Sequence, residues 1–213
     1  MAEPLTVIGF RHSVYTWIVH FALAEMGLSA DYIETNPFAD EPDAVLAKYT
    51  PFNRVPVLVH NGFRLTETAA ILRYLNDVSG ASLVPAYPKP AARMAQVMGI
   101  VDADVYPIMV RKVFSHGFYL PFAGHEADPD ILQHGLQQAR PALQMLNEIA
   151  GEGAQLSGAT CSLADLHLAP MIAYFAHVPQ AAALLETFPA LATWWEVTER
   201  HPQLRITRPD FVD

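Results

Sequence analysis

Asn61-Gly62 lies between two apolar, β-branched runs, residues 55–60 and 63–65, and this stretch leaves the chain few alternatives. An Asn-Gly pair readily takes the left-handed conformations of a two-residue turn, so the stretch predicts an antiparallel hairpin. Upstream, residues 5–9 read as a short buried strand. Residues 14–26 read as a helix with Trp17, Ile18, Phe21, Ala22 and Glu25 at helical spacing, closed by Gly27. Residues 31–34 make a second strand. Downstream, Thr66 reads as the N-cap of a helix reaching about Asp77. A β-α-β unit followed by a hairpin and a helix is the thioredoxin-like order, so the first part of the chain is expected to be an α/β domain.

The pattern then changes. Residues 80–90, GASLVPAYPKP, contain Pro85, Pro88 and Pro90 and suit a semi-rigid connection. Beyond them only helical periodicity remains. Residues 91–114 are apolar on more than one face and carry Pro107, which predicts a kink. Leu132, Leu136, Ala139, Leu143 and Leu146 form a second stripe that Pro141 should bend. Ser162-Leu163-Ala164-Asp165 reads as a capping box with aspartate in the glutamate position, opening an apolar helix over 163–175, and residues 189–200 make a last helix. The expected organisation is a thioredoxin-like domain over 1–80, a linker over 81–90 and an all-α domain over 91–213.

With 213 residues, 52% of them hydrophobic, the chain can bury a sizeable core. Its formal charge of −9, without a basic cluster, argues against nucleic acid as a partner. No apolar run approaches the roughly 20 residues that span a bilayer, and the first residues carry no basic leader segment, so a soluble, cytoplasmic protein is expected, with no membrane partner. One cysteine, Cys161, excludes an internal disulfide and reads as a small buried filler. The nine histidines show no ligand spacing, so no metal is expected.

The hairpin supplies the chemistry. Val55-Pro56 begins it and Glu67-Thr68 follows it, so both pairs should open on one edge of the small sheet. A backbone rung at Val55, a carboxylate at Glu67, and a hydroxyl with helix N–H groups at Thr68 would suit one residue of a peptide and an amino-acid head group with its ammonium and carboxylate. The ordinary alternative is a capped helix start whose Glu67 merely complements the dipole.

On these motifs, TPFNRVPVLVHNGFRLTETAAI together with IGFRHSVYTWIVHFALAEMG and SLAD, nearly the whole chain resembles the glutathione S-transferase superfamily. The resemblance implies that Pro56 follows a cis bond, that Val55 pairs with the cysteinyl backbone of glutathione, and that Glu67 and Thr68 hold its γ-glutamyl end, with Arg54 a further contact. It implies glutathione as co-substrate, a small hydrophobic electrophile as second substrate, and a homodimer, for which Phe52 matches an aromatic key that some classes insert into the partner. Asn53 stands where many members have glycine.

A cysteinyl thiol near pKa 8.5 needs about 2.7 kcal/mol to be lowered by two units. A helix dipole gives roughly 0.3 to 2 kcal/mol, so a hydroxyl donor at the start of the first helix is also required. Ser13 falls on the catalytic serine of serine-type members, and with Trp17 it is nearest in pattern to zeta-like ones; Tyr15 is the competing donor. Arg11 and His12 are candidates for positive potential beside the sulfur and for the second-substrate pocket. Tyr106, Met109 and Val113, at i, i+3 and i+7 on the long helix, are pocket candidates too, although such a stripe is more often core. The expected activity is addition of the glutathione thiolate to a small apolar electrophile. The alternatives are a related peroxidase, isomerase or lyase, or a binding module of the same shape. A dithiol oxidoreductase is excluded because residues 13–16 contain no cysteine.

Overall fold

The computed structural model describes residues 4–39, 41 and 43–211; the first three residues, part of the stretch read for a leader, lie outside it. The chain divides into two compact units, one containing the residues up to Ser82 together with 206–211, the other Leu83–Arg205.

In the first unit β1 (Leu5–Gly9) leads through α1 (Val14–Glu25) to β2 (Ala30–Glu34), and β3 (Val57–His60) and β4 (Phe63–Leu65) form the hairpin before α2 (Thr68–Ser79). The sheet order is β2-β1-β3-β4, with β1 parallel to β2 and antiparallel to β3. Its interior position explains why β1 is apolar at Leu5, Val7 and Ile8, all buried. Asn61 and Gly62 both have positive φ, 54° and 76°, as a tight turn matched to strand twist requires. β3 starts at Val57 instead of Val55: the Val55-Pro56 bond is cis and proline has no N–H for the ladder. α1 ends with Leu28 N–H donating to Leu23 O and Gly27 N–H to Ala24 O, the paired bonds of a glycine-closed helix.

In the second unit, α3 (Pro88–Ile100) continues into a wider-turned helical segment, Val101–Tyr119, and a final turn, Leu120–Phe122. The last three residues of the expected linker are therefore helical, with Pro88 at the first turn where its missing N–H costs nothing. Pro107 lies inside the wide segment; a wider turn is one way for a helix to accommodate a ring that clashes with the preceding carbonyl. The stripe over 132–146 forms two helices, α4 (Pro129–Gln138) and α5 (Arg140–Gly151), so Pro141 opens the second helix and does not bend a single one. α6 (Leu163–Ala176) is buried along nearly its whole length and packs on the wide segment, α3 and α7 (Pro179–Glu186), as a helix apolar on every face must. Its capping box forms as expected from Ser162 and Asp165. α8 (Pro189–Thr198) and α9 (Pro202–Ile206) complete the helices among the described residues. Cys161 is half-buried, not enclosed. No described helix is long and apolar enough to cross a membrane.

Candidate functional site

Strand register gathers the candidate residues. Ile8 of β1 lies opposite Val57 of β3, and Leu58 of β3 opposite Leu65 of β4. Continuing each strand by a residue or two brings Gly9, Pro56 and Glu67 to one end of the sheet. Three segments therefore leave that end side by side: the turn from Phe10 to Ser13, the Val55-Pro56 step, and Glu67-Thr68 at the start of α2. Glu34 ends β2 at the same level, opposite Gly9.

Ser13 is the N-cap of α1, its Oγ accepting from Thr16 N–H at 3.3 Å. Capping occupies an oxygen lone pair and leaves the hydroxyl proton available for donation. The first turn of α1 contains no acidic residue, so its positive end is not offset locally. Tyr15 stands in that same turn, half-buried. Arg11 pairs with Glu34, Nε to Oε1 at 3.1 Å, and its backbone N–H donates to the same oxygen at 3.3 Å. His12 is held below the ordinary imidazole value, first by burial and then by neighbouring Arg11, against opposing contributions from Asp210 and Glu34. At neutral pH it is uncharged, and its ring makes aromatic contacts with Phe10 and Phe211.

Glu67, not Thr66, is the N-cap of α2, and its side chain makes no capping bond. Its backbone, φ 66° and ψ 111°, is one L-residues rarely adopt. Its carboxylate meets Arg54, Nη2 to Oε1 at 3.0 Å, with the two side chains 64% and 65% exposed. A pair so open contributes about 1 kcal/mol at most and leaves Oε2 able to receive an ammonium. Thr68 opens α2 and is buried. Val55 is half-buried and packs against the cluster of Ile8, Leu46 and Val57. Asn53 has φ 48°, which asparagine tolerates better than most residues; this accounts for its standing in for glycine. Phe52 is exposed, and the Arg54 guanidinium lies 5.1 Å from its ring centre.

In the helical unit Met109 and Val113 have no exposed surface, and Tyr106 alone of the three retains some. No cluster of three His, Cys, Asp or Glu side chains arranged for a metal occurs among the described residues. Sequence reasoning did not find residues 207–211. Trp17, 1% exposed, donates its indole N–H to Thr207 Oγ at 3.1 Å, and Phe211 stacks on His12 with ring centres 5.2 Å apart. A buried indole calls for an acceptor, but nothing in the sequence says which distant residue provides it.

Comparison with known proteins identifies the family and fold. Residues 3–77 match the family described as glutathione S-transferase, N-terminal domain, and residues 129–196 match its C-terminal domain. Glutathione S-transferase F14 of Arabidopsis thaliana is 29% identical over 190 residues, covering 85% of this chain and 74% of that protein. Among solved structures, glutathione transferase F7 of Populus trichocarpa superposes with a TM-score of 0.82 at 22% identity, covering 95% of this chain and 97% of that one. A theta class glutathione S-transferase from Xanthomonas axonopodis pv. citri, solved with glutathione bound, superposes at 0.77 and 22% identity, covering 98% of each chain. With a family match in each half of the chain and the fold shared nearly end to end, the chain belongs to the glutathione S-transferase superfamily.

Proposed function

We propose that this chain is a glutathione transferase, a cytoplasmic homodimer that binds the tripeptide at the sheet end of its first unit and adds its thiolate to a small hydrophobic electrophile. The observation that carries the reading is the convergence of Ser13, Val55-Pro56 and Glu67-Thr68 at one end of the sheet. Val55 offers main-chain pairing just outside the β3 ladder. Glu67 receives the γ-glutamyl ammonium in place of part of its contact with Arg54, and Thr68 with the first N–H groups of α2 receives the carboxylate.

At the sulfur, the N-terminus of α1 and the Ser13 hydroxyl act together. A hydrogen bond from Ser13 to the thiolate is stronger than one to the thiol, so it lowers the thiol pKa and stabilises the attacking form. Orientation of sulfur against electrophile supplies the rest of the rate. Ser13 is preferred to Tyr15 because it caps α1 with its oxygen and keeps a proton to donate. In the helical unit, Tyr106 is the member of its stripe with surface to offer the electrophile.

Glutathione titrated in a thermal-shift experiment should stabilise the protein by about 2.7 kcal/mol at one hundred times its Kd. Ser13→Ala should raise the thiol pKa of bound glutathione and lower kcat about 10- to 100-fold, the loss of one charge-assisted bond. Stabilisation without conjugation of any small electrophile would leave a glutathione-binding module, and no stabilisation at millimolar glutathione would remove the reading altogether.

A further inference from the structure

We infer that residues 207–211 are a positioning element for the Ser13 turn, holding the proposed thiolate donor in place from both sides. The inference rests on the reading of Ser13 given above. The chain leaves the first unit at Ser82 and rejoins it at Ile206. Its returning residues meet the first unit at the residue before Ser13 and at one a helical turn after it.

On one side, Phe211 stacks on the His12 ring at 5.2 Å with an interplanar angle of 29°. His12 in turn meets Phe10 edge to face at 5.4 Å, and Phe10 meets Phe38 in the same way at 5.7 Å. The Asp210 backbone also contacts the His12 imidazole. His12 is thus clamped between the returning segment and an aromatic row. Ser13 is its immediate neighbour, and Ser13 N–H donates to Phe10 O at 2.8 Å, which closes the turn.

On the other side, Trp17 links both partners. Its backbone N–H donates to Ser13 O at 3.0 Å and its indole N–H donates to Thr207 Oγ at 3.1 Å. Trp17 is 1% exposed, so its ring has little room to move without taking α1 with it. Within the turn, Phe10 N–H donates to Thr16 Oγ1 at 3.3 Å, and the Arg11–Glu34 pairing is a surface contact, so the returning segment adds to bonds the turn already makes. Hydrogen-bond strength toward a thiolate falls off with small displacements of the donor, so a segment that fixes His12 and Trp17 affects how well the Ser13 hydroxyl is aimed. Residues 207–211 need not touch the ligand for this.

The test uses the full chain with Phe211→Ala, Phe211→Tyr and Thr207→Val, and reads the apparent thiol pKa of bound glutathione from its ultraviolet thiolate absorbance, together with kcat and KM. Phe211→Ala is expected to raise that pKa by about half a unit to one unit and to lower kcat about 10-fold. KM for glutathione should stay within about twofold, because the residues proposed to hold the tripeptide are untouched. Phe211→Tyr, which keeps the ring, should restore both quantities, and Thr207→Val should shift them in the same direction as Phe211→Ala. If Phe211→Ala does not fold, Phe211→Leu removes the ring and keeps most of the volume, with the same expectation. Wild-type pKa and kcat in the ring-deleted variant would overturn the inference, as would a loss that Phe211→Tyr fails to rescue. Should Ser13→Ala itself leave the thiol pKa unchanged, the Ser13 reading falls, and this inference with it; if Ser13→Ala raises the pKa and Phe211→Ala does not, only the inference falls.

Discussion

Glu67 holds a backbone conformation that costs an L-residue about 1 to 3 kcal/mol. Glu67→Gly and Glu67→Ala both remove the carboxylate, and both should weaken glutathione binding, read as a higher Kd by calorimetry. They should differ in stability, since glycine relieves the φ strain and alanine keeps it: the glycine variant is expected to be more stable than the alanine variant by about 1 kcal/mol in urea unfolding. Two histidines of the same unit set a pH dependence. His12 and His20 are both lowered, chiefly by burial. The unfolded chain then takes up protons near pH 6.5 before the folded one does, so their contribution to stability is present above that pH and lost as pH falls through the folded values. The urea midpoint should drop between about pH 7 and 5, and His20→Gln should flatten the drop. Asp43 and Asp77, lowered by hydrogen bonds, act in the same direction but only in more acidic solution. The helix that begins just after Ser13 was legible in the sequence because helical spacing is local chemistry. Glu67 displaced Thr66 at the head of α2 because its positive φ follows from the route of the chain out of β4, which residue preferences do not encode.

Among the elements, the capping box of α6 also ties that helix to α8. Asp165 accepts from Ser162 N–H at 2.9 Å, from the Ser162 hydroxyl at 2.8 Å and from the Trp194 indole at 2.8 Å. Burial pushes its carboxyl upward and these bonds hold it back. Asp165→Ala removes the acceptor of Ser162 N–H and of the Trp194 indole, while the Ser162 hydroxyl keeps Gln155 Oε1 at 2.7 Å, and a loss of about 2 to 3 kcal/mol is expected from chemical denaturation followed by tryptophan fluorescence. That box was readable from four consecutive residues. The wide segment Val101–Tyr119 was not, because its buried side chains, Val101, Val105, Met109, Val110, Val113 and Phe114, recur at a spacing broader than that of an α-helix. Read at the ordinary period, Tyr106 joined Met109 and Val113 on one face; in the structure it lies off the buried set. The hairpin and the helices around it were legible because an Asn-Gly turn and two regular periods are local signals, whereas the return of residues 206–211 to the first unit is a long-range contact that no window of sequence contains.

At the scale of the molecule, the first unit is not built from one stretch of chain. Residues up to Ser82 supply its sheet and helices, and 206–211 supply the acceptor for Trp17 and the ring on His12. A fragment ending at Ser82 lacks both and, at that length, has little core to spare. It is expected to show a lower urea midpoint by Trp17 fluorescence than the intact chain read at the same tryptophan in a Trp194→Phe, Trp195→Phe background; equal midpoints would show that the returning segment contributes nothing to the unit's stability. The division also bears on how the protein is made. During synthesis the strands of the first unit leave the ribosome before the helical unit, yet Trp17 and His12 wait for Thr207 and Phe211 while more than one hundred further residues, Leu83–Arg205, are added, roughly 6 to 25 s at ordinary elongation rates. The first unit therefore starts to emerge before the second and is finished after it, and for that interval the Trp17 indole and the His12 ring stand apart from the segment that will meet them.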